Sequence, residues 1–118
     1  MNKQHRLTLT RDFQRLYRSR MRVRENNMLI CYARHGQCTV SRLGVVTPRH
    51  VGCAVERNKF KRRVRVCFDR LRVNVPCAFD LLVLALGHDA VKLPLREIES
   101  VLVGRINQFN NMRANASR

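Results

Sequence analysis

Between Cys53 and Arg72 the sequence superposes two patterns. Phe60, Val64, Cys67, Phe68 and Leu71 recur at three- and four-residue steps, the spacing of one stripe along an α-helix. Arg57, Lys59, Lys61, Arg62, Arg63, Arg65, Arg70 and Arg72 fill most of the remaining circumference, and Asp69 is the one acid within residues 57–72. Arg57, Lys61 and Arg65 line up beside the stripe at four-residue spacing. Such a helix buries its narrow apolar side against another layer and turns guanidinium and ammonium groups outward. The rest of the chain must therefore supply a surface for the stripe, and the exposed side calls for an anion.

The flanking segments supply that surface as strands. Met28–Ala33 is a compact apolar run, and Leu43–Thr47 is a second one that ends at Pro48. Phe79–Leu86 is almost continuously apolar, as expected of a strand central in its sheet. Residues 20–26, with alternating Met21 and Val23, read as a short edge strand. Thr10 is placed to cap a helix running from Arg11 to about Ser19, and Pro94 opens a last helix striped by Leu95, Ile98, Leu102, Ile106 and Phe109. His35-Gly36-Gln37 and Gly87-His88-Asp89 read as turns, and Asn74 with Pro76 ends the basic helix. Without a repeat or an internal linker, 118 residues make one domain, 1–118, with residues 1–6 and 110–118 expected to be frayed. The expected fold class is α/β (α+β), a single-domain two-layer sandwich with element order α-β-β-β-α-β-α.

Charge narrows the function. Lys and Arg total 24 against 8 Asp and Glu, a formal net charge of +16, whereas solubility needs only about 2–8. The charge is concentrated: eight cations lie in residues 1–24 and eight more in residues 57–72. A self-repelling patch of this density is expected to meet nucleic acid, where each phosphate neutralised releases a counterion. No apolar run approaches a membrane span, and the N-terminus lacks the apolar stretch of a signal peptide, so no membrane partner and a cytoplasmic location are expected. The five cysteines, Cys31, Cys38, Cys53, Cys67 and Cys77, are odd in number and form no C-x-x-C pair; free thiols are expected. Cys31, His35 and Cys38 are the nearest approach to metal-ligand spacing and do not make a zinc site, so no protein-held metal is expected. The eight acids are dispersed, and no nucleophile is apparent.

The segment Gly44-Val45-Val46-Thr47-Pro48-Arg49-His50-Val51-Gly52-Cys53-Ala54-Val55-Glu56-Arg57-Asn58-Lys59-Phe60-Lys61-Arg62 resembles the bacterial ribonuclease P protein component. The resemblance continues upstream through Arg6-Leu7 and Asp12-Phe13-x-x-Leu16-Tyr17, and downstream through Phe79–Leu86 and the last helix. It implies a fold like the second domain of ribosomal protein S5, with a left-handed β-α-β crossover through the basic helix, an exception to the usual hand. It implies the protein subunit of the ribonucleoprotein endonuclease that removes the 5′ leader from precursor tRNA. Catalysis then belongs to the RNA and to Mg2+ bound mainly by that RNA, with no catalytic residue in this chain and no small-molecule substrate.

By matching position, the resemblance assigns Arg57, Asn58, Lys59, Lys61, Arg62 and Arg65 to docking on ribonuclease P RNA. It assigns Phe13 and Tyr17 to a cleft for the single-stranded leader, which Tyr32 joins from the sheet if the phase of its strand turns it to that face, with Arg49 and His50 flanking the same cleft or the RNA. Spacing alone fits Phe13 and Tyr17 equally well to core packing with Leu16. The chain departs from the family pattern where Lys59 stands for an arginine, Pro48 for a serine, and Arg49-His50 for two lysines. A contact through His50 would depend on its protonation.

Other readings fit parts of the same sequence. A non-catalytic ribosomal or rRNA-assembly protein fits the composition equally well, and the aromatic pair with the Arg57-Asn58 segment favours the processing subunit over it. A DNA-binding module lacks a dimerisation heptad or a second helix of a helix-turn-helix.

Overall fold

The computed structural model describes residues 5–8, 10–19, 21–34, 40–75 and 78–116, with side chains to residue 110. In chain order the elements are α1 (Thr10–Tyr17), β1 (Arg22–Glu25), β2 (Met28–Arg34), β3 (Arg42–Val46), one 3-10 turn (Arg49–Val51), α2 (Ala54–Arg72), β4 (Phe79–Ala85), a one-turn helix α3 (His88–Val91) and α4 (Leu95–Ala116). The expected order is present. α3 is the addition, a single helical turn where the sequence reads as a turn. The turn at His35-Gly36-Gln37, Pro76, Cys38 and Cys77 lie outside the described residues.

The sheet order is β1-β2-β4-β3. β1 and β4 both run antiparallel to β2, while β3 and β4 are parallel neighbours joined through α2. β4 is central, as its unbroken apolar run implies. β1 and β2 are joined by Asn26 and Asn27, both at positive φ (51° and 61°), the backbone of a two-residue hairpin turn whose twist matches the strands. That turn sets the register Glu25↔Met28 and with it which residues face each side.

On one face Met28, Ile30, Tyr32, Leu43, Phe79, Leu81, Val83 and Ala85 meet the stripes of α2 and α4 in the main core. Tyr32 stacks on Phe79 and on Phe109 with centroids 5.4 Å apart in each case, and Phe68 meets Phe79 edge-on at 5.7 Å. This is the expected two-layer sandwich. α1 lies on the opposite face, where Leu7 and Leu16 close over Cys31 and Leu82, so part of that face gains a third layer.

A buried charge explains why α1 sits there. Asp80 points from β4 to the α1 side and is fully buried. Arg42, its direct partner in the β3–β4 register, donates Nε to Oδ1 at 2.9 Å and Nη2 to Oδ2 at 2.8 Å. Arg15 of α1 donates a further bond to Oδ2. Asp12 of α1 closes the group, 3.4 Å from Arg42 and 4.0 Å from Arg15. α1 is thus tied down by its charges as well as by Leu16.

Described residues near both ends pack against the sheet. His5 is buried with Nδ1 2.7 Å from the Ser41 carbonyl, Arg6 bridges to Leu43, and the Leu7 N–H donates to the Leu43 carbonyl at 2.9 Å. The segment covers the β3 edge, which would otherwise expose unpaired backbone groups. α4 continues past residue 110 to Ala116, and the Tyr32 hydroxyl donates to Asn110 Oδ1 at 2.7 Å.

Removing one side of a buried ion pair leaves the other uncompensated, at a cost of about 3–5 kcal/mol. Arg42→Ala, which leaves the fully buried Asp80 carboxylate with Arg15 as its remaining cation partner among the described residues, is expected to lose about that much in urea unfolding. A loss of only about 1 kcal/mol, the scale of exposed pairs, would contradict this role.

Candidate nucleic-acid interface

The cations of α2 divide into two sets. Arg70 pairs with Glu99 at 3.0 Å and Arg72 with Asp69 at 3.2 Å. Arg63 Nη1 donates to the Leu93 carbonyl at 3.1 Å, so its charge serves the loop before α4. Among the described residues, Arg57, Lys59, Lys61, Arg62 and Arg65 take no ion-pair partner. Arg57 Nε is buried without a hydrogen bond. The unpaired set lies between Arg57 and Arg65; of the internally used arginines, Arg63 falls within that stretch, on another side of the helix, and Arg70 and Arg72 lie at the helix end. Helical geometry puts Arg57, Asn58, Lys61, Arg62 and Arg65 on one flank and turns Lys59 further round the helix. Arg49 and His50 stand exposed in the 3-10 turn between β3 and α2.

A second surface lies across the β3 edge, on the α1 face. Phe13 and Tyr17 are half-buried and pack on the small core formed by Leu7, Leu16, Cys31 and Leu82. They are therefore both core and surface. The Phe13 ring rests on Gly44, where any Cβ would come within 2.7 Å of its Cε1. That close approach accounts for glycine in β3. Burial, and then the neighbouring Cys31, raise the Tyr17 phenol pKa above its ordinary value. Burial also pushes the Cys31 thiol up to about 11, so it is un-ionised at neutral pH. Leu29, Leu84 and Val46 are partly exposed on this face and floor an open cleft beside α1.

Tyr32 does not belong to this cleft. It is fully buried on the other face between Phe79 and Phe109, and Cys31 is the β2 residue that meets Tyr17. The physical reason is phase: successive strand residues face opposite sides, so a one-residue difference exchanges the faces.

The structure adds residues that the sequence reading did not single out. Arg22 and Arg24 are exposed on β1, opposite Cys31 and Leu29 and on the same face as them. With Leu29 and Leu86 they line a cavity of about 400 Å³ at the far edge of the cleft. The alternation of Met21, Arg22, Val23 and Arg24 is the sequence signal for this. Arg65 and Phe13, assigned to different surfaces, line one small cavity of about 120 Å³ with Arg6 and Gly44. The two surfaces therefore meet at the β3 edge.

The carboxylates are mostly engaged. Asp12, Glu25, Glu56, Asp69, Asp80 and Glu99 each lie within ion-pair distance of an Arg or His. No group of three or more His, Cys, Asp or Glu side chains converges among the described residues. No helix of the described residues is long and apolar enough to cross a membrane.

Comparison with known proteins agrees with this architecture. The family model described as Ribonuclease P matches residues 1–108. The ribonuclease P protein component of Thermotoga maritima is 34% identical over 82 residues, covering 70% of this chain and 69% of that one. Its counterpart in Clostridium botulinum is 27% identical over 107 residues, covering 90% and 95%. Among solved structures, the Staphylococcus aureus RNase P protein superposes with a TM-score of 0.74 at 26% identity, covering 87% of this chain and 93% of that one. The Thermotoga maritima RNase P protein gives a TM-score of 0.68 at 29% identity, covering 84% and 92%.

The start of α2 carries a pH-sensitive cap. Glu56 Oε1 accepts the Cys53 N–H at 3.1 Å, and Oε2 lies 2.9 Å from His88 Nε2. The Cys53 bond first, and His88 next, hold the Glu56 carboxyl down to about 2 from its ordinary 4.5. Because the folded value is the lower one, ionised Glu56 contributes stability above the ordinary value, and the contribution is lost as pH falls toward the folded one. In acid titrations followed by far-UV circular dichroism, the wild type is expected to lose stability across this window more steeply than Glu56→Gln. Identical slopes would remove the cap from the acid response.

Proposed function

The chain belongs to the ribonuclease P protein family, and we propose that it works by presenting two RNA-binding surfaces at once. As a ribonuclease P protein component it is a subunit of the endoribonuclease that processes the 5′ end of tRNA, with ribonuclease P RNA as its partner. On our reading, α2 docks on that RNA through Arg57, Asn58, Lys61, Arg62 and Arg65, with Lys59 on the neighbouring side. Guanidinium forks bind phosphate oxygens, and Asn58 donates to phosphate or sugar. The leader of precursor tRNA lies in the cleft beside α1, with its bases against Phe13 and Tyr17. Stacking on aromatic rings tolerates any sequence, which suits a subunit that serves many precursors. Arg49 and His50 extend the cationic surface between the two, and Arg22 and Arg24 close the far edge of the cleft.

The observation that carries this reading is the split among the α2 cations. The fold uses Arg63, Arg70 and Arg72 internally and leaves Arg57, Lys61, Arg62 and Arg65 without acidic partners among the described residues. Catalytic RNA and leader are both polyanions, and the chain carries +16. Placed between them, it lowers their mutual repulsion and hence the concentration of Mg2+ that the RNA requires. The reaction chemistry, with its metal ions, stays with the RNA, and the setting is cytoplasmic.

The test is 5′-leader removal from a precursor tRNA by the RNA alone and by the reconstituted holoenzyme at low magnesium. The protein is expected to stimulate cleavage. Arg57→Ala and Arg62→Ala are each expected to weaken RNA binding by about 1–3 kcal/mol, the scale of a charge-assisted hydrogen bond. Tight binding without stimulation would favour a purely structural RNA-binding role, and wild-type affinity in both variants would remove these residues from the docking surface.

A further inference from the structure

We propose that the outer flank of α1 is a second RNA-phosphate site, formed by Arg11, Arg15 and Arg18, which takes the upstream part of the leader after it leaves the aromatic cleft. The inference rests on the cleft reading above and extends it to residues outside the cleft.

Arg11, Arg15 and Arg18 follow one another at four- and three-residue steps, so they share one side of α1. Phe13 and Tyr17, four residues apart, share the other. α1 is therefore a ridge with a stacking surface on one slope and a row of guanidinium groups on the other. The arginine slope borders an open cavity of about 470 Å³, completed by Gln14, Ser19 and Ala33. From Arg11 to Arg18 the helix rises about 10 Å at roughly 1.5 Å per residue, enough to follow more than one phosphate.

The middle member of the row is fixed in advance. Arg15 donates one nitrogen to fully buried Asp80, yet its side chain remains 50% exposed. Folding has thus already ordered a long side chain that faces the cavity, and a ligand meets a preorganised donor. Arg11 and Arg18 are exposed and have no acidic partner among the described residues. The nearby acids Asp12 and Asp80 are already occupied by Arg42 and Arg15. The slope therefore keeps uncompensated positive charge. The strand that shares α1 with the row is the leader. Phosphate contacts of this kind add affinity without reading sequence.

The experiment uses holoenzyme reconstituted from the full chain and its catalytic RNA. Two precursor tRNAs are compared, one whose leader ends within the cleft and one whose leader extends past α1. Dissociation constants are measured across a salt series for wild type, for the double variant Arg11→Gln/Arg18→Gln, and for Arg11→Lys/Arg18→Lys. Arg15 is left in place because it also holds the fold. The wild type is expected to bind the long-leader precursor more tightly and with a steeper salt dependence. The glutamine variant is expected to lose most of that gain, with the long-leader slope reduced by about 1.4, since each single-strand phosphate contact contributes about 0.7. The lysine variant, which keeps the charge, is expected to restore the slope. Full gain and full slope in the glutamine variant would overturn the site while leaving the cleft reading standing. No gain on lengthening the leader in the wild type would overturn it as well. Equal wild-type binding of leader-bearing and leaderless tRNA would overturn both the site and the cleft reading.

Discussion

The carboxylate of Asp80 sits fully buried in the central strand and holds Arg42 of β3 and Arg15 of α1 at once. Burying a charge is costly unless it is paired and hydrogen-bonded, and here two guanidinium groups satisfy it. The arrangement depends on α1 crossing the sheet face at this point. It seats Leu16 on Cys31 and Leu82, lays Phe13 over Gly44, and leaves Leu29, Leu84 and Val46 partly open beside the helix. The cleft exists because α1 is short and held at one end of the face. A longer helix, or one held only by apolar contacts, would cover the floor or slide across it.

The opposite face follows a different logic. α2 and α4 bury their stripes on the sheet, and the bidentate pair Arg105–Glu25 joins α4 to β1 at 2.7 and 3.1 Å. The stripe of α2 is buried in that core, so its unpaired cations are carried on a packed support. Rigid presentation matters for phosphate binding because ordering costs are met on folding instead of on binding. With Arg65 and Phe13 lining the same cavity at the β3 edge, RNA on α2 and a strand in the cleft would come close together. Cationic side chains between two such polyanions are where a small protein has its largest electrostatic effect.

Much of this was legible in the sequence, for identifiable reasons. The α2 stripe has a strong helical period, and Phe79–Leu86 is too apolar for an edge strand; both lie where the pattern put them. The phase of β2 was not legible, because Ile30, Cys31 and Tyr32 are all buried, so no alternation distinguishes the faces. Only the positive-φ turn at Asn26 and Asn27 fixes the register, and it sends Tyr32 into the core. Asp80 was hidden for another reason. Its partners are 38 and 65 residues away, and an acid inside an apolar run carries no local signal of what will meet it. The division of α2 into paired and unpaired cations is likewise written in contacts with Glu99 and the Leu93 carbonyl, which appear only once α4 is in place.

On the proposed reading, the two surfaces have two different RNA neighbours in the same assembly. Site-directed photo-crosslinking in the complex of protein, catalytic RNA and precursor tRNA reads those neighbours directly. A photoreactive side chain in place of Phe13 is expected to label leader nucleotides, and one in place of Arg62 is expected to label the catalytic RNA. Labelling of the same RNA from both positions, or of the leader from Arg62 and not from Phe13, would contradict the division of labour between the two faces.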